Sequence, residues 1–95
     1  KEIGASVPSE FALEQNYPNP FNPSTQIRFN IAKNSFVTLK VYNMVGQEVA
    51  TLVNRILDAG TFETDFSAAN LASGSYIYRL TADGFVQTRK MILMK

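Results

Sequence analysis

LASGSYIYRLTADGFVQTRKMIL, residues 71–93, decides the fold. Tyr76, Tyr78, Leu80 and Ala82 recur at every second position, with Ile77, Arg79 and Thr81 between them. That period of two is the mark of a strand with one buried face. Asp83-Gly84 follows, a pair suited to a type I′ hairpin because both central residues of that turn take positive φ. Folding the chain back about this turn sets Tyr76 opposite Met91, Tyr78 opposite Arg89 and Leu80 opposite Gln87. Phe85, Met91 and Leu93 then share the core face with Tyr76, Tyr78 and Leu80. A bulge near Arg89 would reverse part of this register. Ahead of the first strand, Leu71, Gly74 and Tyr76 stand in the order of a tyrosine corner, in which a hydroxyl reaches back to upstream backbone.

The same alternation continues outward from this hairpin. TQIRFNI sets Ile27, Phe29 and Ile31 against Gln26, Arg28 and Asn30; FVTLKVY sets Val37, Leu39 and Val41 against Thr38 and Lys40. TFETDF sets Phe62, Thr64 and Phe66 against Glu63 and Asp65, EVATLV (48–53) is a shorter apolar strand, and FALEQ (11–15) is a further candidate. Turn-forming groups divide these runs, at Lys33-Asn34-Ser35, Asn43-Met44-Val45-Gly46, Asp58-Ala59-Gly60 and Ala72-Ser73-Gly74. One window competes: in GQEVATLVNRIL (46–57), Val49, Leu52, Val53 and Ile56 have helical spacing. Its place between strands and its β-branched content favour a strand. The expected fold is all-β, an immunoglobulin-like antiparallel sandwich of about seven strands.

Composition narrows the chemistry. The chain has 95 residues and a net charge of +1, with no Cys, no His and no Trp. No disulfide, thiolate nucleophile or zinc-thiolate site is available, and the commonest general base is missing. The small net charge gives no basic field for nucleic acid. No run approaches the ~18 apolar residues of a membrane span. KEIGASVPSE, residues 1–10, reads as a linker from an upstream passenger, with the domain occupying 11–95.

Two segments admit a functional reading beside the structural one, the terminus being the one least explained by folding alone. NYPNPFNPST (16–25) carries Pro18, Pro20 and Pro23, which bias Tyr17, Asn19 and Asn22 away from helix. It is expected to run as a stiff, nearly extended arm pinned to the sandwich by Tyr17 and Phe21, although Pro20 and Pro23 also match the spacing of a polyproline ligand. The terminus, Arg89-Lys90-Met91-Ile92-Leu93-Met94-Lys95, is cationic and apolar with no acid after Asp83. Lysines there block aggregation of an edge strand, and such a strand is also one that a receptor grips by β-augmentation. Glu48, Asp58, Glu63, Asp65 and Asp83 lie in separate turns or on exposed faces, with Glu63 and Asp65 alone sharing one face. Ser24, Ser67, Ser73 and Ser75 have no histidine to activate them. The chain is expected not to be an enzyme and to need no cofactor or metal. A carbohydrate-binding or adhesive sandwich appended to a secreted enzyme is the competing reading; it needs a row of exposed aromatics, for which Phe36, Tyr42 and Phe85 are the least certain to be buried.

Ordered motifs add a resemblance. Tyr17-Pro18-Asn19-Pro20-Phe21-Asn-Pro-Ser-Thr25, Val41-Tyr42-Asn43-x-x-Gly46-Gln-Glu48-Val49, Leu71-Ala-Ser-Gly74-x-Tyr76-x-Tyr78-Arg79-Leu80 and Phe85-Val-Gln-Thr-Arg-Lys90 follow one another at fixed spacing. Together the chain, from about Phe11 to Lys95, resembles the type A C-terminal sorting domains of the type IX secretion system, found on exported proteins of Bacteroidota. The resemblance implies a small immunoglobulin-like sandwich that addresses a passenger, via the periplasm and the outer-membrane secretion machinery, to the cell surface or medium. It implies a sortase-like peptidase acting in or before residues 1–10. It places recognition on Lys90, Met91, Ile92, Leu93, Met94 and Lys95, and structural roles on Tyr17–Phe21, Gly46, Gly74 and Tyr76. Asn43 and Gln47 stand where many members carry Asp and Arg, so no metal at that turn is implied.

Overall fold

The alternating segments pair as strands because each has one apolar face that can leave water only against another such face. In the computed structural model, which describes residues 1–3 and 7–95, they are β1 (Ala12–Leu13), β2 (Ser24–Ile31), β3 (Ser35–Tyr42), β4 (Glu48–Leu57), β5 (Gly60–Ser67), β6 (Gly74–Ala82) and β7 (Phe85–Leu93). They form two antiparallel sheets, β1-β2-β5 and β4-β3-β6-β7. The chain changes sheet after β2, β4 and β5, so each sheet is closed by the other's inner face. The result is an immunoglobulin-like sandwich.

The core forms where those inner faces meet. Ile27, Phe29 and Ile31 of β2, Val37, Leu39 and Val41 of β3, Tyr78 and Leu80 of β6, and Met91 and Leu93 of β7 are all buried. Phe29 stacks on Phe62 of β5, with ring centroids 5.6 Å apart. The last hairpin has the expected register without a bulge, pairing Tyr76 with Met91, Tyr78 with Arg89 and Leu80 with Gln87. Its turn residues Asp83 and Gly84 have φ of 47° and 82°, the positive values a two-residue loop of this hand requires.

Helical spacing in residues 46–57 has a local cause. β4 runs further than EVATLV, to Leu57, and its register against β3 slips twice. Leu39 pairs with Val53 and Lys40 with Thr51, leaving out Leu52; Val41 pairs with Ala50 and Tyr42 with Glu48, leaving out Val49. Each bulge turns two consecutive residues toward the core. Val49-Ala50 and Leu52-Val53 therefore both pack against it, and the sequence spacing imitates a helix.

The proline segment departs from expectation. It does not run extended but bends repeatedly between the sheets, and its bonds Tyr17–Pro18, Asn19–Pro20 and Asn22–Pro23 are cis. Tyr17 bridges Gln26 of β2, whereas Phe21 bridges Leu93 of β7, so the segment spans from one sheet to the other. Phe21 is buried and its ring lies 6.1 Å from that of Phe66, but Tyr17 is 81% exposed and its ring anchors nothing; only its backbone does, through Gln26. Residues directly opposite across an antiparallel bridge project to the same side. Gln26 faces solvent, so its partner Tyr17 does too.

At the start of the chain, Glu2 bridges Phe62, and the Ile3 N–H donates to the Thr61 carbonyl at 2.7 Å. Residues 4–6 of the expected linker lie outside the described residues.

Candidate functional site

Strand β7 presents side chains on two faces and backbone along one outer edge. Alternation buries Met91 and Leu93, while Lys90, Ile92, Met94 and Lys95 remain exposed. Of the six candidate recognition residues, the buried pair therefore holds the core and is out of a partner's reach. Lys95 is also tied down: its backbone N–H donates to Ser73 Oγ at 3.0 Å and its ammonium to the Ala69 carbonyl at 2.7 Å.

The outer edge is where a strand-adding receptor would bind, and the lead-in segment already occupies it. The Phe21 N–H donates to the Ile92 carbonyl at 2.9 Å, and the Met94 N–H donates to the Phe21 carbonyl at 3.0 Å. The Ile92 N–H donates to Asn19 Oδ1 at 2.9 Å, and Gln15 Nε2 donates to the Lys90 carbonyl at 2.8 Å. Arg89 Nε reaches the Leu13 carbonyl at 2.6 Å, and Gln87 Oε1 accepts from the Leu13 N–H at 3.3 Å. β7 is the last strand of its sheet, yet from the Lys90 carbonyl to the Met94 N–H its edge is hydrogen-bonded. Over this last part of the strand, exposed side chains rather than free backbone are on offer.

Two buried polar groups hold the covering segment in place. The Tyr78 hydroxyl accepts from the Asn16 N–H and donates to the Glu14 carbonyl, both at 2.8 Å. Asn16 Nδ2 donates to the Pro18 carbonyl at 3.1 Å and to Thr25 Oγ1 at 3.0 Å. Burial pushes the Tyr78 hydroxyl up to about 12, against the opposing effects of the Asn16 N–H and the Arg89 charge. The folded state thus favours the neutral phenol more than the unfolded chain does, with its ordinary value near 10. This contribution to stability is complete below pH ~10 and is lost as the pH rises through ~12. At about 1.4 kcal/mol per unit, up to roughly 2–3 kcal/mol is at stake. A pH series of thermal unfolding should show a fall across this window, and Tyr78→Phe should remove its share of it.

The remaining sequence candidates have local structural roles. Tyr76 donates its hydroxyl to the Ala72 carbonyl at 2.6 Å, four residues upstream, which is tyrosine-corner geometry. Gly74 has φ of +150° and Gly46 of +87°, values that side chains disfavour. At the β3–β4 turn Asn43 Oδ1 accepts from the Val45 and Gln47 N–H groups at 3.1 and 3.0 Å, so Asn43 serves the turn as an acceptor. Glu63 pairs with Arg28 at 3.1 Å and Asp65 accepts from Gln26 at 3.2 Å. The Thr51 hydroxyl, and with it Lys40, holds the Glu48 carboxyl below the usual range. Among the described residues no group of three or more acidic side chains converges on a metal-sized site. The exposed aromatics Tyr17 and Phe36 lie on different sheets and form no row.

The terminal strand, its cover from Gln15 onward and the tyrosine corner all fall inside a stretch, residues 15–94, that matches the family described as secretion system C-terminal sorting domain. The chain belongs to that family. No curated protein matches it. The sorting domain is a C-terminal signal for type IX secretion, which delivers a passenger to the cell surface or medium. In this sorting domain the residues that hold the lead-in segment against β7 were missed by pattern reading. Asn16, Asn19 and Gln15 belong to no periodic run. Tyr78 carried the one usable signal, a phenol at an inward position, since a buried hydroxyl requires partners.

Proposed function

We propose that the type IX machinery reads this sorting domain as a folded unit, through the exposed side chains Lys90, Ile92 and Met94 of its last segment, with Met91 and Leu93 presenting them from the core. The supporting observation is the covered edge of β7: adding a strand there would require expelling Phe21 and Asn19. Lys95 contributes through its fixed position over the 69–73 loop. Residues 1–10 serve as the linker from the passenger and 11–95 as the domain. A surface sortase-like peptidase acts in the linker, where Val7 is exposed. The domain itself is not catalytic; its acids are dispersed or engaged with neighbours.

A periplasmic reporter carrying residues 1–95 tests this in a host with the secretion system. Lys90→Glu, Ile92→Asp and Met94→Asp, combined, change exposed positions and should leave the melting temperature within a few degrees. Export should fall at least tenfold. Undiminished export of that variant would remove these side chains from the signal.

A further inference from the structure

The two outer faces of the sandwich differ in charge. On the four-stranded sheet, outward positions bring Lys40, Arg79 and Lys90 together: Lys40 pairs directly with Arg79, and Lys90 faces Ile77, one outward position along β6. Glu48, at the rim on β4, pairs with Lys40 at 3.3 Å. Among the described residues, neither Arg79 nor Lys90 has a carboxylate within ion-pair reach. Like charges directly opposite in a sheet are unfavourable, and the Arg79 guanidinium lies over the Tyr42 ring, 5.0 Å from its centroid. The three-stranded sheet is balanced instead, with Glu63 and Asp65 set among Arg28 and Lys1.

Beside the cations lies apolar surface. Tyr42, Ile77 and Arg79 border a shallow hollow of about 200 Å³ whose far wall is the β3–β4 turn, where Met44 stands exposed. Ile92 and Val86 are exposed further along β7.

We propose that the outer face of the β4-β3-β6-β7 sheet is the docking face for a protein surface that carries carboxylates around an apolar centre. Arg79 and Lys90 supply unpaired cations, and the hollow beside Tyr42 receives an apolar side chain. Charge complementarity selects the occupant. An anionic membrane fits less well, because three cations on a flat sheet and a net charge of +1 give little pull toward a lipid surface. This deepens the reading above, on which it rests for Lys90 and Ile92, and extends the contact to residues outside the terminal segment.

The test uses Arg79→Glu and, separately, Lys40→Glu in the reporter fusion, each checked for an unchanged fold, with the opposite-face Asp65→Lys as control. Both reversals should reduce export at least fivefold, and the control should leave it within twofold. If the reversals export normally while the terminal triple variant is still retained, the docking face is wrong and the terminal reading stands. Co-sedimentation of the wild-type fusion with phosphatidylcholine vesicles containing phosphatidylglycerol, abolished by Arg79→Glu, would overturn the proposal in favour of a lipid surface. Absence of such sedimentation, alongside the export loss, supports a protein partner.

Discussion

Phe21→Ala should destabilise the domain by about 3–5 kcal/mol, the usual cost of truncating a fully buried phenylalanine. Phe21 is 1% exposed, packs near Phe66, and is the residue whose N–H and carbonyl both bond to the terminal strand. Truncation leaves a void between the sheets and weakens the cover of β7 together. For a domain this size, each kcal/mol lowers the melting temperature by roughly 4–8 °C, so a drop of about 12–40 °C is expected in calorimetry. Tyr17→Ala is the internal comparison. Its ring lies in solvent, so the melting temperature should hardly move. Equal effects of the two substitutions would mean that the lead-in segment does not lie as described.

Tyr78→Phe should cost about 2–4 kcal/mol although it removes only one oxygen. The ring still fills its site, but the Asn16 N–H and the Glu14 carbonyl each lose their partner. An unpaired group of this kind costs about 1–3 kcal/mol where water cannot replace the bond. The loss should be directional as well as large: residues 14–16 should gain amide exchange and protease sensitivity before the β3–β6 pairing does. A uniform increase across the domain would point instead to a general loss of packing.

These expectations show where the fold was legible and where it was not. The β6–β7 register could be read because Asp83-Gly84 admits one short turn, and a two-residue loop leaves no freedom in the pairing. Tyr76 could be read because a phenol at the start of a strand needs an acceptor nearby. β4 was expected as a strand and is one, but its extent to Leu57 and its two bulges were not legible, since Val49 and Leu52 satisfy the core only by slipping the register and nothing in residues 48–53 marks a slip. Tyr17 misled because an aromatic side chain suggests burial. Its orientation is set by Gln26, nine positions further along and visible only once the two segments are paired.

The candidate signal has the same mixed character. The hairpin register already set Met91 and Leu93 on the core face, where they are buried, so of the six residues the resemblance points to, these two serve the core rather than a partner. Deleting residues 90–95 would therefore remove core and surface contacts together, and loss of export would not distinguish a missing signal from an unfolded domain. Substitutions confined to Lys90, Ile92 and Met94 avoid that confusion.

The most direct measurement is amide hydrogen exchange at the Ile92 and Met94 N–H groups of the folded domain. Both are bonded to the lead-in segment, to Asn19 Oδ1 and to the Phe21 carbonyl. A covered edge predicts that they exchange orders of magnitude more slowly than an unstructured peptide and accelerate selectively in Phe21→Ala. Free-peptide exchange rates at both positions in the native protein would mean that the edge is open and available for strand addition, contradicting the account.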